Sequence, residues 1–173
     1  MKISLPDQTG RMVEYSMTGR PVQSAVLDAT PARVVYSAAH VVADPFTAND
    51  PSGRATVDWA RTLEFRRYLA SLGLGIAEAT DTAQRGMGLD WPVALELIRQ
   101  TRTELPDALV ANGCGTDHLP QGDYTLDQVK AAYLQQPEAI QSLGGRIVLM
   151  ASRALVKAAK GPEDNIKVYS DVL

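Results

Sequence analysis

Four short apolar runs recur after residue 33, each followed by a polar loop and then by a segment with helical periodicity. Their cores are Val34-Val35-Tyr36, Ile76-Ala77-Glu78, Leu109-Val110-Ala111 and Ile147-Val148-Leu149-Met150. The runs are nearly continuous rather than alternating, the pattern of parallel strands covered on both faces. Strands are predicted at about Val34 to Val42, from Gly75, at about Ala108 to Asn112 and at about Arg146 to Ala151.

The helices between them carry start and stop signals. Thr56 predicts the N-cap of a helix running to about Leu72, which Gly73 ends. Asp90 predicts a second cap, with Pro92 in the first turn and Trp91, Ala94, Leu95 and Ile98 on one face. Thr125 and Gln128 form a capping-box pattern, and Leu126, Val129, Tyr133, Ile140 and Leu143 continue a buried stripe. Pro137 inside that stripe predicts a kink or a break. Gly144-Gly145 closes the helix, and Gly161-Pro162 opens a last one with Ile166, Tyr169 and Val172 inward.

Strand starts spaced by roughly 33 to 41 residues suit successive βα units. The class is α/β, and residues 33–173 form one domain of four units. Residues 1–32 differ: Ile3, Leu5, the turn-like Asp7-Gln8-Thr9-Gly10, then Met12, Val13 and Tyr15 predict a short hairpin and an irregular lead-in. We expect them to cover one end of the domain. A doubly wound sheet and part of an eight-fold barrel both fit the periodicity. An open four-stranded sheet would be complete at 173 residues, whereas a barrel typically needs about 250.

Composition narrows the partners. With 45% hydrophobic and 21% charged residues the chain is ordinarily globular, and a net charge of −3 argues against nucleic acid. No apolar run reaches membrane-spanning length, and the N-terminus lacks the apolar stretch of a signal peptide. The lone Cys114 excludes an intrachain disulfide and favours a cytoplasmic setting.

In either architecture the strand C-termini form one face, and the reactive groups gather there. His40 follows the first strand; Glu78, Asp81, Thr82, Gln84 and Arg85 belong to the second unit. Asn112, Cys114, Thr116, Asp117 and His118 belong to the third, Ser152 and Arg153 to the fourth. Both histidines are in this set. Glu78 stands inside a strand between two alanines, where an unpaired carboxylate is costly. It reads either as a general acid or base or as a structural ion-pair partner, for instance of Arg85. No compact metal-ligand spacing is present, and Gly113-x-Gly115 lacks the third glycine of a dinucleotide fingerprint, so neither metal nor cofactor is expected.

Three segments resemble an uncharacterised bacterial family related to dihydrodipicolinate synthase. They are Ser37-Ala38-Ala39-His40-Val41-Val42-Ala43-Asp44-Pro45, then Ala77-Glu78-Ala79-Thr80-Asp81-Thr82-Ala83-Gln84-Arg85-Gly86-Met87-Gly88-Leu89-Asp90-Trp91, and Leu149-Met150-Ala151-Ser152-Arg153-Ala154-Leu155. The resemblance implies the first four units of an aldolase-type (β/α)8 TIM barrel, preceded by the hairpin. It implies lyase or aldolase chemistry on an oxo-acid through a Schiff-base lysine on a sixth strand, outside this chain. The superfamily's Gly-Thr-Thr-Gly-Glu motif is altered: Thr82 falls on its first threonine, Ala83 on its second, and Gln84-Arg85 replace Gly-Glu.

The expected roles follow. Glu78 or Asp81 transfers a proton, and His40 or His118 polarises an oxygen. Thr82, Arg85, Asn112, Thr116, Asp117, Ser152 and Arg153 bind a small carboxylate or oxo-acid. A homo-oligomer is expected. Two other readings remain: a metal-dependent barrel isomerase or hydrolase using His40, Glu78 and His118, and a non-catalytic half-barrel that self-associates.

Overall fold

A computed structural model describes residues 2–20, 33–47, 56–83 and 85–173. The predicted hairpin is present as β1 (Lys2–Pro6) and β2 (Met12–Ser16), antiparallel from Lys2↔Ser16 to Pro6↔Met12. The Asp7 carboxylate builds its turn by accepting from the Thr9 and Arg11 N–H groups. Both strands are largely exposed, with Leu5 at 43% and Tyr15 at 51%. The Pro21 to Pro31 lead-in and the Asn49 to Gly53 loop lie outside the described residues.

The main sheet contains β3 (Tyr36–Ala38), β4 (Gly75–Glu78), β5 (Val110–Cys114) and β6 (Arg146–Leu149), all parallel and paired in chain order. Helices α1 (Trp59–Ser71), α2 (Trp91–Glu104) and α3 (Leu126–Ser142) connect them, and α4 (Arg153–Ala158) and α5 (Pro162–Val172) follow β6. A doubly wound sheet reverses its strand order at a switch point. The order here never reverses, as in the wall of a barrel.

Register assigns the faces. Glu78 lies beside Asn112 and Ile147, while Ala38, Ala77, Ala111 and Arg146 form the next row on the opposite face. The first face packs against helices: Ile76 and Val110 meet Leu69, and Cys114 meets Leu97, Ile98 and Ile140. The second face is only thinly covered, with Tyr36 at 40% and Val148 at 41% exposure. The apolar runs therefore do not report two helix layers. They report one helix layer and one inner barrel face.

Several local expectations shift. The first strand is three residues long, because Ala43 pairs antiparallel with Val57 instead of continuing it. That bridge occupies the segment after Thr56 and moves the cap to Asp58, whose carboxylate accepts from the Arg61 N–H at 3.0 Å. Asp90 and the Thr125–Gln128 capping box stand as predicted. On α2, Leu97 is fully buried and Leu95 only half-buried. Helix α3 runs through Pro137 without a break, held by the burial of Tyr133, Gln136 and Ile140 on either side. Helix α4 was not separately expected; on α5, Val168 is buried and Ile166 is 57% exposed.

Candidate active site

The rim begins where β4 ends. Ala79 takes the left-handed conformation, φ 52°, a strained choice for a residue with a Cβ. It turns the chain into a single 3₁₀ turn, Asp81–Ala83, and then toward Arg85. Arg85 holds that turn. Its Nη1 donates to the carbonyls of Ala79 at 3.0 Å and Gly113 at 2.9 Å, joining the ends of β4 and β5. Its Nε donates to Asp117 Oδ2, and its Nη2 to Asp117 Oδ1 and to Gln136 Oε1. All five guanidinium N–H groups are thereby engaged. The guanidinium carbon also lies 5.2 Å from the Trp91 ring centre. Gly113 is required here, because a Cβ would stand 2.4 Å from the Ala79 carbonyl oxygen.

Gln136, from α3, joins the next layer. Its Oε1 accepts from Arg85 and from the Gly115 N–H at 2.7 Å, two obligate donors that orient the amide. Its Nε2 then donates to Asp117 Oδ1 and to His118 Nδ1 at 2.8 Å, which assigns the His118 proton to Nε2. Burial draws the Asp117 carboxyl upward, but the hydrogen bonds and charge of Arg85, with Gln136, outweigh it and hold the group below its ordinary 3.8.

A cavity of about 510 Å³ opens above this network. Asp81, Arg85, Thr116, Asp117, Ser152, Arg153 and Lys157 line it, so units two, three and four all contribute. The Thr116 and Ser152 hydroxyls, 2.5 Å apart, are both buried in its wall, and Ser152 also caps α4 by accepting the Leu155 N–H. Carbonyl ends of parallel strands and a cavity beyond them are where α/β barrels bind substrate.

Of the expected site residues, the structure brings Asp81, Thr116, Asp117, Ser152 and Arg153 to this cavity. Arg85 is there too, but with no N–H left for a substrate. Glu78 is elsewhere. Its side chain is fully buried on the helix side of the sheet, bonded to Arg66 Nε rather than to Arg85, and accepting from Thr101 Oγ1 at 2.8 Å. Burial pushes its carboxyl above 4.5, with Arg66 and Thr101 pulling back.

Asn112 shares that hidden face and donates to the Arg146 carbonyl at 3.0 Å. His40 is exposed at the end of β3, its ring 4.9 Å from Phe65, and it does not line the cavity. Thr82 is exposed beside the rim, His118 stands behind Gln136, and Gln84 lies outside the described residues.

Burial raises the Cys114 thiol to about 11, with Arg85 opposing, and the thiol is inert as a nucleophile. His40, Glu78 and His118 do not meet, and no three metal-binding side chains converge among the described residues.

Three residues were missed. Gln136 had a signal: it is the polar position in the stripe Val129, Tyr133, Ile140. Arg66 had one also, between buried Thr62 and Leu69 on α1. Lys157 had only its spacing of four from Arg153.

Fold and rim together define a part of a (β/α)8 barrel with its cavity at the strand C-termini. The structure is similar to dihydrodipicolinate synthase from Bacillus clausii, with a TM-score of 0.55 and 16% sequence identity, over 80% of this chain and 40% of that one. The likeness extends to the fold. The model of a family described as a protein of unknown function (DUF993) matches residues 3–173, and the chain belongs to that family. No curated protein sequence matches it. No helix among the described residues is long and apolar enough to cross a membrane.

Proposed function

We propose that these four units form part of the active face of a lyase or aldolase acting on a small oxo-acid. The Schiff-base lysine of that chemistry would come from a further part of the barrel. The observation that supports this is the cavity, built from three consecutive strand ends, where Asp81, Thr116, Ser152 and Arg153 face one space. Asp81 is the residue we assign to proton transfer, because its carboxylate is exposed on the cavity wall while Glu78 is sealed away. Thr116 and Ser152 are hydroxyl partners for the substrate oxygens, and Asp117 with Arg85 holds the wall in shape. The proposal includes a cytoplasmic location, suggested by a single buried cysteine.

Incubating the full-length protein with pyruvate and borohydride tests the chemistry. A reduced adduct on one lysine is the expected result, located by peptide mapping; its absence with every oxo-acid tried ends the Schiff-base reading.

The thinly covered inner face, with Tyr36 and Val148 exposed, supports a second reading, in which the 173-residue chain self-associates as a half-barrel. Light scattering separates it, since a compact monomer argues against that association.

A further inference from the structure

Arg85, an expected anion-binding residue, has no guanidinium N–H free for an anion. Every N–H of Arg85 is engaged by Ala79, Gly113, Asp117 or Gln136. The cavity nevertheless has a cationic side, on α4. Arg153 lines it and makes no hydrogen bond or ion pair among the described residues. Lys157, four residues on and so on the same helix face, lines it as well. Among the described residues its one charged partner is Asp123, with Nζ 3.3 Å from Oδ1 and side-chain exposures of 58% and 97%, a contact that holds little. Arg85 and Asp117 offset one another. Arg153 and Lys157 are thus the cations on this wall with charge available to a ligand.

We propose that Arg153 and Lys157 form the anion anchor of the cavity and that its ligand carries a carboxylate or phosphate group. The planar guanidinium meets two oxygens of such a group side by side, and the ammonium adds a point charge from one turn further along. This deepens the proposed function and rests on its premise that the cavity is the ligand site. It moves the charged anion contact from Arg85 in the second unit to the fourth, and it makes the α4 face the determinant of ligand charge.

Titrating the intact chain with pyruvate and, separately, with inorganic phosphate tests it, read by amide shifts of Gly115, Thr116 and Ser152. Saturable binding is expected for at least one, and the stronger of the two names the anion class. Arg153→Met should weaken it roughly tenfold or more and Lys157→Met roughly threefold, with Arg153→Lys in between. Thermal melts should match wild type, because both side chains are exposed. Raising the salt concentration should weaken binding in wild type far more than in Arg153→Met.

Unchanged affinity in Arg153→Met overturns the anchor, and so does the absence of saturable binding of both anions. Binding that depends on Arg153 without a borohydride adduct keeps the anchor and removes the Schiff-base chemistry. An adduct that forms equally well in the Arg153→Met, Lys157→Met double variant keeps the chemistry and removes the anchor.

Discussion

Among the described residues two buried arginines pair with carboxylates, one behind the sheet and one at its rim. Arg66–Glu78 lies between sheet and helices, with both side chains at 0% exposure. Arg85–Asp117 lies at the strand ends, at 1% and 19%. Arg66 places three N–H bonds, to Glu78, His40 and Thr62, and among the described residues neither its Nη2 nor Glu78 Oε2 has a partner. Arg85 places five, two of them on strand-end carbonyls.

The chemical types are the same, but the consequences differ. The Arg66–Glu78 pair is an ion pair at the helix–sheet boundary whose carboxyl is raised by burial. The rim pair is a scaffold for backbone, and its carboxyl is lowered because hydrogen bonds and charge outweigh burial. A titratable group in a strand is therefore a poor guide to a site until its face is known.

The largest effect should come from the rim. Arg85→Met removes the side-chain donor from the Ala79 and Gly113 carbonyls and leaves the Asp117 carboxylate with Gln136 but no charge partner, and we expect a loss of about 4 kcal/mol in urea unfolding. Glu78→Gln strands the Arg66 charge and should cost about 3 kcal/mol. Pairing Arg66→Met with Glu78→Leu should recover most of that, to within about 1 kcal/mol of wild type, since apolar groups replace buried ion pairs well. The matching double change at the rim, Arg85→Met with Asp117→Leu, should not recover, because the strand-end carbonyls stay unpaired. Equal recovery at both places would erase the distinction between ion pair and scaffold.

Gly113→Ala forces a methyl to 2.4 Å from the Ala79 carbonyl oxygen and should cost about 2 kcal/mol. Because it displaces the rim, amide shifts should change at Gly115 and Thr116 and stay unchanged around Glu78.

Acid and neutral unfolding then separate the pairs by sign. Asp117 titrates below its ordinary 3.8 when folded, so its stabilisation is present above that value and is lost as pH falls through the folded pKa. Glu78 titrates above its ordinary 4.5, so its contribution is greatest below that value and declines as pH rises through the folded pKa. Asp117→Asn should flatten the acid limb and Glu78→Gln the limb above pH 4.5. Urea midpoints measured across pH check both slopes, and the same slope change in both variants would contradict the assignment.

Much of this was legible beforehand. The βα rhythm, the caps at Asp90 and Thr125, the stop at Gly73 and the gathering of polar groups after the strands all follow from neighbours a few residues apart. Glu78 was misplaced because strand alternation offers two faces, and only the pairing with Asn112 and Ile147 selects the helix side. Arg85 was identified as a rim residue, but its role turned on Gln136, 51 residues away, and on two carbonyls that no residue type reveals.

Local patterning therefore established four parallel units and the end of the sheet where chemistry collects, since capping and periodicity act within one or two turns. Packing assigned the partners: which arginine meets which carboxylate, which face holds Glu78, and which cations remain available in the cavity. Those assignments depend on distant segments meeting in a low-dielectric interior, where each buried charge must be matched by whatever the fold brings beside it.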